Sequence, residues 1–150
     1  MNSTINWEQL SEVEKLKYES NFLRGTLIES LANPLTGAIA GGDTQLSKFH
    51  GFYQQPDRDL DKERKQQKLE PAFSFLIRVR IPGGVVTPQQ WLHIDALSDK
   101  YANGTLKLTT RQTFQFHGDI KKNLKNTIKN IKDSLLDTLD TCGTVNRNVK

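Results

Sequence analysis

A chain of 150 residues, 25% charged and 35% hydrophobic, fits one ordinary domain with part of its length outside a core. The formal net charge of +4 permits an anionic partner (nucleic acid, phosphate ester, anionic cofactor or small oxyanion) without choosing among them. No apolar run is long enough to cross a membrane, residues 1–12 carry Glu8 and Glu12 where a secretory leader is basic then apolar, and Cys142 stands alone. One cysteine excludes an internal disulfide or a multi-cysteine metal site made by this chain itself, which favours a reducing, cytoplasmic setting.

Residues 9–31 have helical spacing in Val13, Leu16, Phe22, Leu23, Leu27 and Leu31, with Ser11 and Glu14 forming a capping box. Asn33-Pro34 stops the pattern, and Gly37, Gly41 and Gly42 mark a flexible stretch. Residues 49–53 are aromatic, and residues 54–70 are polar enough to read as an exposed loop or a solvated helix. Residues 1–70 therefore read as an N-terminal helical and irregular arm that packs on another part of a longer polypeptide or on another subunit.

From Pro71 the pattern tightens. Phe73, Phe75, Ile77, Val79 and Ile81 alternate with Ser74, Leu76, Arg78 and Arg80, the mark of a half-buried strand, and Pro82-Gly83-Gly84 ends it. Thr87 as N-cap, Pro88 at the first helical position and Gln90 closing a capping box start a helix whose stripe is Trp91, Ile94 and Leu97. After the Asn103-Gly104 turn, residues 105–117 form a second extended segment, long enough to need a bend or bulge near residues 110–112 or to fall into two strand pieces. Leu124, Ile128, Ile131 and Leu135 mark a second amphipathic helix with an exposed lysine face of Lys121, Lys122, Lys125, Lys129 and Lys132; residues 143–149 fit a returning strand. The expected architecture over residues 71–150 is a ferredoxin-like α+β half-domain, truncated at its C-terminal end: an antiparallel sheet with two helices on one face and the other face left for a partner or ligand.

That second face carries the chemistry. Side chains two apart on a strand share a face, so Lys107, Thr109, Arg111, Gln115 and His117 form a ladder of donors, with Arg78 and Arg80 as a pair on the first strand. Unpaired charges of this density in a closed interior would cost several kcal/mol each. The face therefore meets either water or an anion, and the arginine fork suits oxyanions and carboxylates. A plain solvated face is the competing explanation of the same alternation.

The string Leu108-Thr109-Thr110-Arg111-Gln112-Thr113-Phe114-Gln115-Phe116-His117-Gly118 resembles the sirohaem-binding segment of the sulfite and nitrite reductase haemoproteins. Supporting strings lie in the family's order: Glu19 to Gly25, His50 to Gln55 with Asp57-Arg58-Asp59, Lys68 to Pro71, Arg78 to Gly84, and Asn146-Arg147-Asn148-Val149. Together they cover most of the chain from about residue 15 and look most like the NADPH-dependent branch. The resemblance implies six-electron reduction of sulfite to sulfide at sirohaem bridged to a 4Fe–4S cluster, with electrons from an NADPH-dependent flavoprotein (alpha) subunit. It places Arg78 and Arg147 against sulfite as catalytic residues. It also places Lys107, Thr109, Arg111, Gln115 and His117 against the sirohaem and its carboxylates, with Lys107 standing where the family carries an arginine. The cluster cysteines and two further sulfite-facing lysines belong beyond residue 150, and Cys142 matches none of those cysteines, so the chain reads as a fragment that is inactive alone. Two alternatives stand beside this reading. One is a ferredoxin-dependent sulfite or nitrite reductase. The other is a ferredoxin-like RNA-binding module, which the parity of Phe114 and Phe116 opposes, because it turns the rings away from the cations.

Overall fold

The computed structural model describes residues 6–142. Four strands, β1 (Phe52–Pro56), β2 (Phe73–Arg78), β3 (Lys107–Leu108) and β4 (Phe114–Asp119), form one antiparallel sheet in the order β1-β2-β4-β3. The alternation after Pro71 sets the faces. Phe75, Ile77, Val79 and Ile81 are buried on one side, and Phe114 and Phe116 join them from β4. Two helices cover that side. In α5 (Pro88–Tyr101) the buried residues include Ile94 and Leu97, and in α6 (Leu124–Asp133) Leu124 and Ile131. Each fully buried phenylalanine or branched aliphatic contributes roughly 1.5–3 kcal/mol against leaving it in water. This is the expected ferredoxin-like half-domain arrangement.

The helix starts follow their capping chemistry. Thr87 accepts from Gln90 N, and the Gln90 side chain accepts from the Thr87 amide. Ser11 and Glu14 do the same for α1 (Glu12–Glu19). α1 stops well short of the single run expected over residues 9–31. Asn21, Phe22 and Leu23 take successive positive φ values, and helix resumes only at α2 (Leu27–Ala32). Leu23 N donates to Ser20 Oγ at 3.0 Å within the turn, and the buried Asp43 of α3 (Asp43–Leu46) ties down the start of α2, its carboxylate accepting from Thr26 N and Oγ1 and from Ser30 Oγ.

The arm is not merely laid on the half-domain. Its strand β1 pairs along β2, and Leu27, Ile39, Leu46 and Phe52 share one core with the sheet and helices. α1 and α4 (Arg58–Gln66), the latter capped by Asp57, bury none of their residues, as the polar composition of residues 54–70 suggests for α4. Residues 136–141 return alongside β2. Arg80 N donates to the Asp137 carbonyl at 2.6 Å, and Thr141 Oγ1 donates to the Arg78 carbonyl at 3.0 Å. Gly51 (φ +86°) lies so close to Thr138 that a Cβ there would overlap the Thr138 carbonyl.

Two expectations are corrected. Residues 105–117 are not one bent strand. The chain reverses over residues 109–112, and β3 pairs back on β4. Lys121 is not part of an exposed lysine face: it is buried and donates to the Ala38 carbonyl at 2.9 Å, fixing the arm to the start of α6. The strand expected over residues 143–149 lies outside the described residues.

Candidate functional site

The face of the sheet away from α5 and α6 is built by register. Lys107 pairs with Gln115, and Gln115 pairs with Arg78, so three strands place a lysine, an amide and a guanidinium in one row. His117 follows two residues along β4 on the same side, and Arg80 two residues beyond Arg78. Lys107 is exposed, whereas Arg78, Arg80, Gln115 and His117 are half-buried.

The contacts within the row are specific. With its amide oriented to satisfy both ends, the Gln115 carbonyl oxygen accepts from Arg78 Nε at 2.8 Å and Nη2 at 2.6 Å. The other end of that amide lies 3.4 Å from His117 Nε2. Arg78 Nη1 donates to the Thr141 carbonyl at 3.4 Å. Burial, then the charges of Lys107 and Arg78, hold the His117 pKa below the ordinary imidazole value, disfavouring the protonated ring.

Thr109 and Arg111 do not extend the ladder along a single strand, because they sit in the β3–β4 turn. Thr109 Oγ1 accepts from the backbone amides of Arg111 and Thr113, each at 3.3 Å, and thereby closes the turn. Gln112 takes φ +51° at its tip. The Pro82–Gly84 turn abuts this tip, and a Cβ on Gly84 would come within 2.8 Å of Gln112 Cβ. Glycine at that position lets the Pro82–Gly84 turn approach the hairpin. Arg111 is exposed on the turn, and Arg147 lies outside the described residues. Sequence reasoning missed Thr141, whose carbonyl and hydroxyl both engage Arg78 (no local pattern marks a residue 63 positions away).

The row is cationic and neutral in character, with Lys107, Arg78 and Arg80 beside Gln115 and His117. Such a surface fits a flat ligand carrying several carboxylates, and a small oxyanion held at the guanidinium. Phe114 and Phe116 are buried on the opposite side, so neither phenylalanine of β4 is presented for base stacking on this face. Among the described residues, no group of three or more His, Cys, Asp or Glu side chains is arranged to hold a metal ion. No described helix is long and apolar enough to cross a membrane.

Residues 67–134 match the family model of the nitrite/sulfite reductase ferredoxin-like half domain. The chain is 64% identical over 141 residues to the sulfite reductase (NADPH) hemoprotein beta-component of Staphylococcus haemolyticus, an alignment covering 94% of this chain and 25% of that protein. The protein of the same name from Anoxybacillus flavithermus is 62% identical over 139 residues, covering 93% of this chain and 24% of its own length. The solved structure of the Mycobacterium tuberculosis NirA protein superposes with a TM-score of 0.71 at 25% identity, covering 89% of this chain and 26% of NirA. The chain thus spans about a quarter of the length of the curated relatives it matches.

Proposed function

Since this chain belongs to the nitrite/sulfite reductase family, we propose that it forms part of the sirohaem and sulfite site of an NADPH-dependent sulfite reductase haemoprotein. The full reaction is the six-electron reduction of sulfite to sulfide. The observation that carries the reading is the row Lys107–Gln115–Arg78, with His117 beside it, on a sheet face turned away from the core.

In this reading Lys107, Arg111, Gln115 and His117 bind the carboxylates of the sirohaem, with Thr109 holding the turn that presents Arg111. When bound, sirohaem with its 4Fe–4S cluster supplies the electrons and the iron that ligates sulfur. Arg78, and with it Arg147, holds the sulfite oxygens and offsets the repulsion between an anion and an electron-rich centre. Cationic neighbours also favour negative charge as each S–O bond lengthens. Lys107, a point charge in place of a fork, binds a carboxylate without bidentate geometry. The cluster ligands, the further sulfite-binding lysines and the flavoprotein (alpha) contacts belong to the remaining three quarters of a protein of the relatives' length. The proposed setting is the cytoplasm, in keeping with a single cysteine.

Titrating sirohaem into the 150-residue chain and following its absorbance tests the reading. Saturable binding that weakens at least tenfold in the Arg78→Ala, Lys107→Ala double variant is expected, together with no sulfite turnover above blank in a methyl-viologen assay. Binding indifferent to both substitutions would overturn it.

A further inference from the structure

We infer that Gln115 is a positioning residue for Arg78 and His117, its amide fixing the guanidinium plane on one side and the imidazole tautomer on the other. The inference rests on the proposed oxyanion role of Arg78 and goes beyond it by assigning Gln115 an action through its neighbours.

A guanidinium has five N–H bonds. Gln115 accepts from Nε and from Nη2, and the Thr141 carbonyl accepts from Nη1. One N–H on each terminal nitrogen is left. Each is left to donate to an oxygen of an anion. Because Gln115 takes the side of the fork that includes Nε, the plane cannot rotate about Cδ–Nε without breaking two short hydrogen bonds at once. Lysine in place of arginine would lack this second edge altogether.

The same amide sets the histidine. Its oxygen faces Arg78, so its NH2 faces His117 Nε2 at 3.4 Å. An N–H donor there requires Nε2 to be an acceptor, which puts the ring proton on Nδ1. The charged groups acting on the ring are Arg78 from β2 and Lys107 from β3, both cations, and both oppose a second proton. Glutamine suits the position because its two ends differ. Glutamate would match Arg78 but could not donate to His117, and a hydrocarbon would do neither.

The experiment is 15N–1H NMR on the full chain, reading the His117 ring nitrogens and the exchange of Arg78 Nε–H at pH 7.5. The expected wild-type pattern is a protonated Nδ1, a bare Nε2 and a protected Arg78 Nε–H. Gln115→Leu should release the tautomer and speed Nε–H exchange at least tenfold. Gln115→Glu, nearly isosteric and retaining the Arg78 pairing, should keep the exchange slow while raising the His117 pKa by about one unit or more. An unchanged tautomer and unchanged exchange in Gln115→Leu would overturn the inference. So would a Gln115→Glu variant with an unmoved His117 pKa. Added sulfite separates this from the site reading: no shift at Arg78 in a chain with the expected tautomer counts against the oxyanion role and leaves the positioning role standing.

Discussion

Asp119 is the cross-strand partner of Phe75, so a carboxylate is turned into the layer that holds the buried rings. The pairing arises from a bulge. Phe116 sits opposite Ile77, so the two residues between Phe116 and Asp119 face the single residue between Phe75 and Ile77, and Gly118 takes φ +81°. The side chain is fully buried, and neither oxygen has a partner with hydrogen-bond geometry. Burial pushes its pKa up to about 6, with the Thr127 hydroxyl and the Ile120 amide acting weakly in the other direction.

Stability should therefore fall as pH rises. The unfolded carboxyl releases its proton near 3.8 and the folded one near 6, so between those values the folded chain binds more protons. The loss begins near the lower value and is complete above the higher one, about 3 kcal/mol at most. Urea unfolding of wild type and Asp119→Asn at pH 4 and pH 7.5 checks this. The variant should gain at the higher pH only, and equal gains at both would refute the assignment.

Gly51→Ala should be severe. The position has φ +86°, and an added methyl would meet the Thr138 backbone, which no rotamer change can move aside. A loss of roughly 3 kcal/mol or more is expected, seen as a large drop in Tm. A loss below about 1 kcal/mol would mean that residues 137–141 do not hold this contact in solution.

Thr87→Ala removes one side of the α5 capping box and should cost about 1 kcal/mol. Thr87→Ser should restore most of it in chemical denaturation.

Arg78→Lys keeps the charge and loses the fork. Affinity of the chain for sirohaem should change less than threefold, because the proposed site assigns the carboxylates mainly to Lys107, Arg111 and His117. Sulfite-induced NMR shifts at β2 should instead weaken about tenfold, or about 1.4 kcal/mol. Equal losses for both ligands would argue that Arg78 serves the macrocycle and not the oxyanion.

Much of this architecture is legible in the amino-acid order, and the failures have physical reasons. Phe73 to Ile81 read as a strand because alternation survives one-sided burial, and Thr87-Pro88-Gln90 marked a helix start that packing did not overrule. The β3–β4 reversal was hidden because residues 109–112 contain no Gly, Pro or Asn. The Thr109 hydroxyl replaces the usual turn residue, and Gln112 accepts a left-handed conformation. Lys121 looked solvated because its spacing matches the other lysines, yet the arm's Ala38 carbonyl captures it. Within the candidate site, residue types pointed to an anion, but the Arg78–Gln115–His117 order depends on register, and a hairpin must be known before register can be read.

The place of β1 at the sheet's border has a consequence for handling this protein. Phe73–Arg78 is a short, largely apolar segment with a single charge at its end and no proline, and β1 occupies its outer row of amides and carbonyls. Cutting the chain down to the half-domain matched over residues 67–134 would strip that row bare. Bare strand borders of this composition recruit copies of themselves, so the trimmed piece is expected to form cross-β deposits where the longer chain stays dispersed.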